Sequence, residues 1–389
     1  MTSMMWPNCN ICATPFGPPA IDLAPPALTT TNQSVDLPTR VFICGQCGHI
    51  QSPELPDLGN FYDTQYRISL ESEEHDQIYA TANGKPIYRT DVQAQVVLEL
   101  CSLKPSAKVL DYGAAKGATL RKIKAKRGDI EPHIFDISDD YRKSWAAWLP
   151  GECCATYDLD PTWKGRFDLI TAHYVLEHVP QAVASLKHLK SFLAPDGAIF
   201  FSVPDWEANP GDLLVADHVN HFTETSIRRA VREAGMKVQR IERTLLPTAF
   251  TVVCVPTGIE PNPNHADVAR SVKIGVDCAA GLSRACARLD EKFAAGQNRK
   301  SAIFGSGFYG MFLFTRAAGK VSISSFLDNN PHLWSTKIFD VAVLPPKSLP
   351  DNIEVVYVGL NPTRARAIVK ETPALQRAGL ELIFLDTSP

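Results

Sequence analysis

The run Lys108–Gly117, KVLDYGAAKG, constrains this chain of 389 residues more than any other stretch. Val109 and Leu110 predict the end of a buried strand, and Gly113 and Gly117 predict a tight turn that opens a helix. Glycine at such a turn removes Cβ, so the backbone can take positive φ and approach a ligand. Asp111 falls at the strand's carboxyl end, the edge where open α/β sheets bind ligands. The spacing is an incomplete D-x-G-x-G-x-G, because Ala115 stands at its middle glycine position. A strand–turn–helix of this kind also occurs as a plain tight turn, so the segments C-terminal to it carry the distinction. Residues 131–137, EPHIFDI, predict a second strand ending in Asp136, near the distance where an acid meets ribose hydroxyls. Residues 167–179, FDLITAHYVLEHV, predict a later strand that runs into a loop and helix.

Taken in order, VLDYGAAKG, FDISDD, FDLITAHYVLEHV and LAPDGAIFFSVPD resemble class I S-adenosylmethionine-dependent methyltransferases over roughly residues 90–255. The resemblance implies an α/β fold with a Rossmann-like sheet and S-adenosylmethionine as cofactor. It places Asp111, Gly113, Ala115 and Gly117 near the methionine and ribose portion, and Asp136 with Ile137 at the ribose hydroxyls. It further implies that Tyr157 or Asp158 flanks the adenine, that Ala172 and His173 lie near the sulfonium, and that the segment of His178 shapes the pocket.

Length suits two or three domains, and 45% hydrophobic content suits globular packing. A net charge of −3 and a pI near 6.4 supply no electrostatic reason for a nucleic acid or a membrane surface as partner. No window approaches a transmembrane span, and MTSMMWPN lacks the layout of a signal peptide, so a cytoplasmic protein is expected. Ten cysteines in such a chain point to metal or reduced thiols rather than disulfides.

Cys9-x-x-Cys12 and Cys44-x-x-Cys47 form two knuckles that bracket residues 13–43. Four thiolates close a tetrahedral cage and leave no position for water or substrate, so the spacing predicts a structural zinc. Gly45 and Gly48 are expected to ease the turns around the second pair, and the Pro- and Thr-rich stretch between the pairs is poor in core residues. Residues 60–90 form an aromatic-rich connector, and residues 88–102 predict a helix leading into the sheet. The basic run Arg121–Arg127 reads as the solvated face of the helix after the glycine turn.

Beyond Val203-Pro204-Asp205 comes a loop and then DHVNHFT, where Thr223 is a candidate N-cap. His221 is expected to pack or cap, whereas His218 is the candidate general base. Three prolines in residues 256–266 mark a linker, and apolar positions from Val268 to Phe293 share one helical stripe. SAIFGSGFYGMFLF then opens a second glycine-rich unit, Gly305-x-Gly307-x-x-Gly310, and a strand at 321–327 leads to Asp328. Further strands fit at 353–358 and 381–385. Only about ninety residues remain for this unit, which favours a nucleotide cradle over a redox site. The expected domains are 1–60 (zinc-binding), 61–255 (methyltransferase), 256–298 (linker and helix) and 299–389 (a second, Rossmann-like domain binding substrate).

This order resembles the sugar-nucleotide C-methyltransferases across nearly the whole chain. The resemblance implies methylation of carbon beside the keto group of a nucleotide-linked 4-keto-deoxysugar. It implies His218 as base, Asp217 as its support and Tyr66 as donor to the enolate oxygen. It places Gly305, Gly307, Gly310 and Asp328 at the nucleotide sugar. The family's Tyr-Asp-Glu-His-Phe run reads here Val215, Ala216, Asp217, His218 and Val219, so its tyrosine is absent and its acid is shortened. Three other readings stand beside this one: O- or N-methylation of a nucleotide sugar or other small molecule, RNA methylation, and a non-catalytic binding module. The sugar, its nucleotide and the oligomeric state stay open.

Overall fold

The computed structural model describes residues 7–56, 78–82 and 85–386. Two compact units are each assembled from interleaved stretches of chain. One takes Met1–Phe16, Cys44–Asp205 and Val219–Val272; the other takes Gly17–Ile43, Trp206–His218 and Lys273–Pro389. The units thus do not follow the four consecutive segments expected from the sequence. Residues 17–43 cluster with the C-terminal part, although both cysteine pairs that bracket them belong to the first unit.

In the first unit, helix α1 (Arg89–Leu100) precedes β1 (Lys108–Tyr112), α2 (Ala118–Lys126) and β2 (Glu131–Asp136). Next come a short helix α3 (Arg142–Ala146), β3 (Cys154–Thr156), β4 (Phe167–His173), α4 (Ala182–Lys190) and the long β5 (Leu193–Pro204). Helix α5 (Glu224–Glu233), β6 (Lys237–Glu242) and β7 (Ala249–Val255) follow and complete its largest sheet. The seven strands run in the order β3-β2-β1-β4-β5-β7-β6. β1 to β5 pair in parallel, while β7 is antiparallel to both β5 and β6. Strand order therefore reverses between β1 and β4, which makes their carboxyl ends a topological switch point.

Sequence explains why these strands are central. Val109, Leu110, Ile170, Phe200 and Val253 are buried, and helices on both faces of a parallel sheet demand near-continuous apolar runs. Three cations of the basic run Arg121–Arg127 are tied down locally. Lys122 pairs with Asp91, Lys124 reaches the carbonyls of Gly128 and Ile130, and Arg127 pairs with Asp129. Cations in a helix's last turn also suit its negative dipole end.

Helix α6 (His265–Ala295) contributes residues to both units. The second unit then holds β8 (Ser301–Phe304), α7 (Phe308–Ala317), β9 (Ile323–Leu327), β10 (Lys337–Ile338), β11 (Val341–Leu344), β12 (Val355–Val358), α8 (Pro362–Lys370) and β13 (Glu381–Phe384). Strand order is β10-β11-β9-β8-β12-β13, parallel except for the β10–β11 pair. A second switch point thus falls between β8 and β12. The β10–β11 hairpin was not legible in the sequence, where four residues of Val, Ala and Leu give too short a period to read.

Candidate active site

Asp111, one residue before the end of β1, is only 3% exposed, and the Thr171 hydroxyl of β4 donates to its carboxylate at 2.8 Å. Burial pushes its carboxyl up to about 7, the Thr171 bond opposes that rise, and the nearby Asp136 charge adds to it. Thr171 is a member of the site that sequence reading missed; register alone brings it opposite Asp111.

The glycine turn comes directly after β1. Gly113 and Gly117 take φ of 72° and 71°. A Cβ on Gly113 would lie 2.5 Å from Val175 Cγ2, and one on Gly117 would lie 2.4 Å from Ile134 Cδ1. Their glycine requirement is therefore one of backbone angle and internal packing, beyond the ligand approach expected from the sequence. Ala115 holds φ of 46° without being glycine. It is secured by donating its N–H to Asp136 at 2.8 Å and accepting from Trp145 Nε1 at 2.7 Å. Asp136 also accepts from Ser138 N at 3.1 Å, so the acid of β2 shapes the turn after β1.

Left-handed backbone recurs along this sheet edge: Tyr157 after β3 has φ of 65° and Tyr174 after β4 has φ of 56°. Non-glycine residues in this region store strain, and such strain concentrates where a ligand is held. Ile137 and Tyr157 are 49% and 52% exposed at the ends of β2 and β3, and Asp158 is exposed beside them. His173 ends β4 with Nδ1 3.3 Å from Ser202 Oγ. Burial drives its imidazole down to about 3, with the Arg89 charge acting in the same direction, so the ring is neutral. Arg89 itself lies 4.0 Å over the Tyr174 ring, a contact no sequence signal announced. His178 is buried in the turn Leu176–His178.

In the second unit, His218 Nδ1 lies 2.6 Å from Asp212 Oδ1, both groups buried. Asp217, expected to support His218, is engaged elsewhere: it accepts from Thr30 N at 2.6 Å and from Thr30 Oγ1 at 2.9 Å. The carboxylate on the imidazole is thus Asp212. Its loop is fixed by Tyr309, whose hydroxyl accepts from Gly211 N at 2.6 Å and donates to Asn209 Oδ1 at 2.7 Å. A Cβ on Gly211 would strike the Tyr309 ring at 2.4 Å, which explains the glycine. Tyr66 lies outside the described residues. His221, expected to pack or cap, belongs to the first unit, where its Nε2 lies 3.0 Å from Ser52 Oγ.

At the second switch point, Gly305 has φ of 97°, and a Cβ on it would lie 2.4 Å from Gly359 O. A Cβ on Gly310 would lie 1.9 Å from Gly305 O, so these two glycines let three backbone segments cross. Gly307 differs, since a Cβ there meets nothing within 4 Å. Asp328 accepts from Ser306 N at 2.9 Å, Ser306 Oγ at 2.6 Å and Asn330 N at 2.8 Å, as Asp136 does for the first turn.

The four cysteine sulfurs converge in the first unit: Cys9–Cys47 is 3.6 Å, Cys12–Cys44 is 3.5 Å, and all four lie within 4.8 Å of one another. A tetrahedron of Zn–S bonds of about 2.3 Å has edges of about 3.8 Å, so the donor set fits such an ion in chemistry and spacing. Among themselves the thiols share protons unequally. Cys44 is held far below its ordinary value by bonds from Cys47 and Cys9, while the bond to Cys44 pushes Cys9 up to about 12. Each knuckle turns just after its second cysteine, through Ala13 at φ 59° and Gly48 at φ 73°. Gly45, expected to ease the turn, lacks positive φ; Gly48 alone in that pair needs its glycine, because a Cβ would lie 2.8 Å from Thr225 Oγ1.

A family described as a methyltransferase domain matches residues 88–241. The ubiquinone biosynthesis O-methyltransferase of Xanthomonas campestris pv. campestris strain B100 is 28% identical over 123 residues, which is 30% of this chain and 48% of that protein. The enzyme of the same name from Chromobacterium violaceum is 24% identical over 154 residues, 34% of this chain and 66% of its own length. The chain spans about half the length of the Xanthomonas relative it matches. Among solved structures, an S-adenosylmethionine-dependent methyltransferase from Aquifex aeolicus is 17% identical with a TM-score of 0.36, covering 42% of this chain and 89% of that one. The matched segment contains β1 through β5, the glycine turn, Asp111, Asp136 and the switch point. Over residues 88–241 this chain is thus similar to a methyltransferase domain.

Proposed function

We propose that this protein methylates a nucleotide-linked keto-deoxysugar on the carbon beside its ketone, with His218 as base and a structural zinc in the four-cysteine centre. The observation that carries the acceptor assignment is the second glycine turn. Gly305 and Gly307 precede a helix of ten residues at a parallel-sheet switch point, Gly310 lies in that helix's first turn, and Gly307 presents bare backbone to open space. Backbone amides in that setting suit a diphosphate. The zinc reading rests on the sulfur spacing, and the acidic net charge of −3 favours a small molecule over nucleic acid or membrane as partner.

A ketone acidifies the neighbouring C–H, but proton removal near neutral pH needs a positioned base. Asp212 accepts the Nδ1 proton of His218, which leaves the lone pair on Nε2 to take the substrate proton. S-adenosylmethionine, when bound, supplies an electrophilic methyl for the carbon's electron pair and departs as its demethylated product. Asp111, Asp136 and the glycine turn hold and orient that cofactor, while His173 contributes a neutral ring that adds no charge against the sulfonium. An oxygen-directed reading has support of its own. Val215 stands where the resembling family keeps its tyrosine, and the Xanthomonas and Chromobacterium relatives are named O-methyltransferases.

The test is mass analysis of products formed from a panel of nucleotide sugars with labelled methyl donor. A new C–CH3 group supports the proposal, a methyl ether supports the oxygen-directed reading, and labelling of RNA alone overturns both. His218→Asn should keep both ligands bound and cut turnover by roughly 10²–10⁴-fold. The same change should abolish exchange of the substrate C–H with deuterated water in the presence of the demethylated product. Exchange that survives it removes His218 as the base.

A further inference from the structure

We propose that Asn220 is a positioning residue that carries the geometry of the four-cysteine centre to the glycine turn of the methyl-donor site. The proposal rests on the readings that the cysteines hold zinc and that the Gly113 turn holds S-adenosylmethionine. Asn220 is 1% exposed. Its Nδ2 donates to Leu176 O at 2.9 Å and to Val179 O at 2.7 Å. Carbonyls only accept, so these two bonds fix the amide's orientation and aim Oδ1 the other way. Oδ1 accepts from Asn10 Nδ2 at 3.0 Å and lies 3.1 Å from His49 Nε2, which must then carry its proton.

Asn10 sits between Cys9 and Cys12, and His49 stands two residues beyond Cys47. One side chain thus joins both knuckles to the segment after β4, using two donors and two acceptor positions, the full capacity of a primary amide. That segment reaches the cofactor site directly. Val175 packs where a Cβ on Gly113 would stand, with Cγ2 at 2.5 Å from that point, and Val175 O accepts from His178 N at 3.0 Å. The path from cysteine to glycine turn is continuous: Cys9–Cys12 and Cys47, Asn10 and His49, Asn220, Leu176–Val179, Val175, Gly113. Other bonds clamp the knuckle to the same domain. Asn10 N donates to Gln51 Oε1 at 2.7 Å, Thr223 Oγ1 to Gly48 O at 3.1 Å and Thr225 Oγ1 to Cys47 O at 3.2 Å. These fix where the centre sits. Asn220 is the contact that ends on the cofactor-side segment.

A zinc-loaded cage holds Asn10 and His49 in place, and Asn220 then holds the Leu176–Val179 carbonyls. Asn220→Asp keeps the acceptor for Asn10 and His49 but sets a carboxylate against two carbonyl oxygens. The experiment compares wild type and Asn220→Asp, each with zinc verified by metal analysis and each after chelation, by calorimetry of S-adenosylmethionine binding. In wild type, zinc removal should weaken binding roughly tenfold, the scale of one net hydrogen bond. Zinc-loaded Asn220→Asp should already bind roughly tenfold weaker and lose no more than about twofold on chelation, because coupled changes are non-additive. Zinc-loaded Asn220→Asp that binds like wild type overturns the proposal, as does a full further tenfold loss on chelation. Wild type that binds equally with and without zinc overturns the coupling alone, whereas wild type that never binds S-adenosylmethionine overturns the donor-site reading with it. Should Asn220→Asp fail to fold, Asn10→Ala leaves every cysteine and both carbonyl contacts intact. It should weaken binding by about two- to fivefold with zinc retained, and unchanged affinity there overturns the proposal.

Discussion

Burial at the end of β1 pushes the Asp111 carboxyl up to about 7, with one hydroxyl partner working against the rise. The unfolded chain releases that proton near 3.8, so between these values the folded state binds more protons than the unfolded one. The neutral acid therefore contributes stability in full below pH about 4, and the contribution is lost as pH rises through about 7. Each pH unit across that window is worth at most about 1.4 kcal/mol. In the cofactor-free protein, denaturant midpoints should fall between pH 4.5 and 7.5, and Asp111→Asn should flatten that fall while weakening S-adenosylmethionine binding. An unaltered pH dependence in the variant would exclude Asp111 as its source. His173 shows the opposite case, where burial costs a base its proton and leaves a neutral ring at the end of β4.

The two strand–turn–helix elements solve one problem with different residues. In the first, Ala115 takes the left-handed angle and Asp136 of the next strand ties it down. In the second, Gly305 takes that angle and Asp328 of the next strand holds Ser306. Gly305 and Gly310 are demanded by backbone crossing, but nothing in the packing demands Gly307. Gly307→Val should thus leave thermal stability and S-adenosylmethionine affinity near wild type while abolishing binding of the nucleotide sugar, because the side chain blocks approach to the amides. Loss of the fold instead would show that packing, and not a ligand, selects this glycine. Normal binding of both ligands would reduce the motif to a turn.

On the scale of the molecule, the first unit gathers stretches that lie far apart in the chain, and its N-terminal stretch has to be held to the rest. The four cysteines stand where a metal would do that work, since folding and metal binding are one equilibrium in such small regions. Purified protein should contain about one zinc per chain, the stoichiometry of a closed four-thiolate site. Cys44→Ser should release it and raise hydrogen exchange through residues 7–16 and 44–56 without melting the β1–β5 sheet. A metal-free preparation that protects those amides fully would refute the zinc reading. Among the described residues no helix is long and apolar enough to cross a membrane.

What the sequence determined by itself was local. Strand–turn–helix spacing, the acids at 111, 136 and 328, the paired cysteines and the long apolar stripe of α6 were all legible, because each is set by neighbours within a few turns of backbone. Asp217 next to His218 looked like its partner for the same reason, and there proximity in sequence misled. Asp217 accepts from Thr30, while the loop held by Tyr309 brings Asp212 onto the imidazole. Thr171 became a partner of Asp111 only through strand register. Asn220 gave no signal in DHVNHFT at all. Its four bonds reach residues from 41 to 210 positions away, and hydrogen bonds between such distant groups have no trace in spacing because only the folded chain brings donor and acceptor into line.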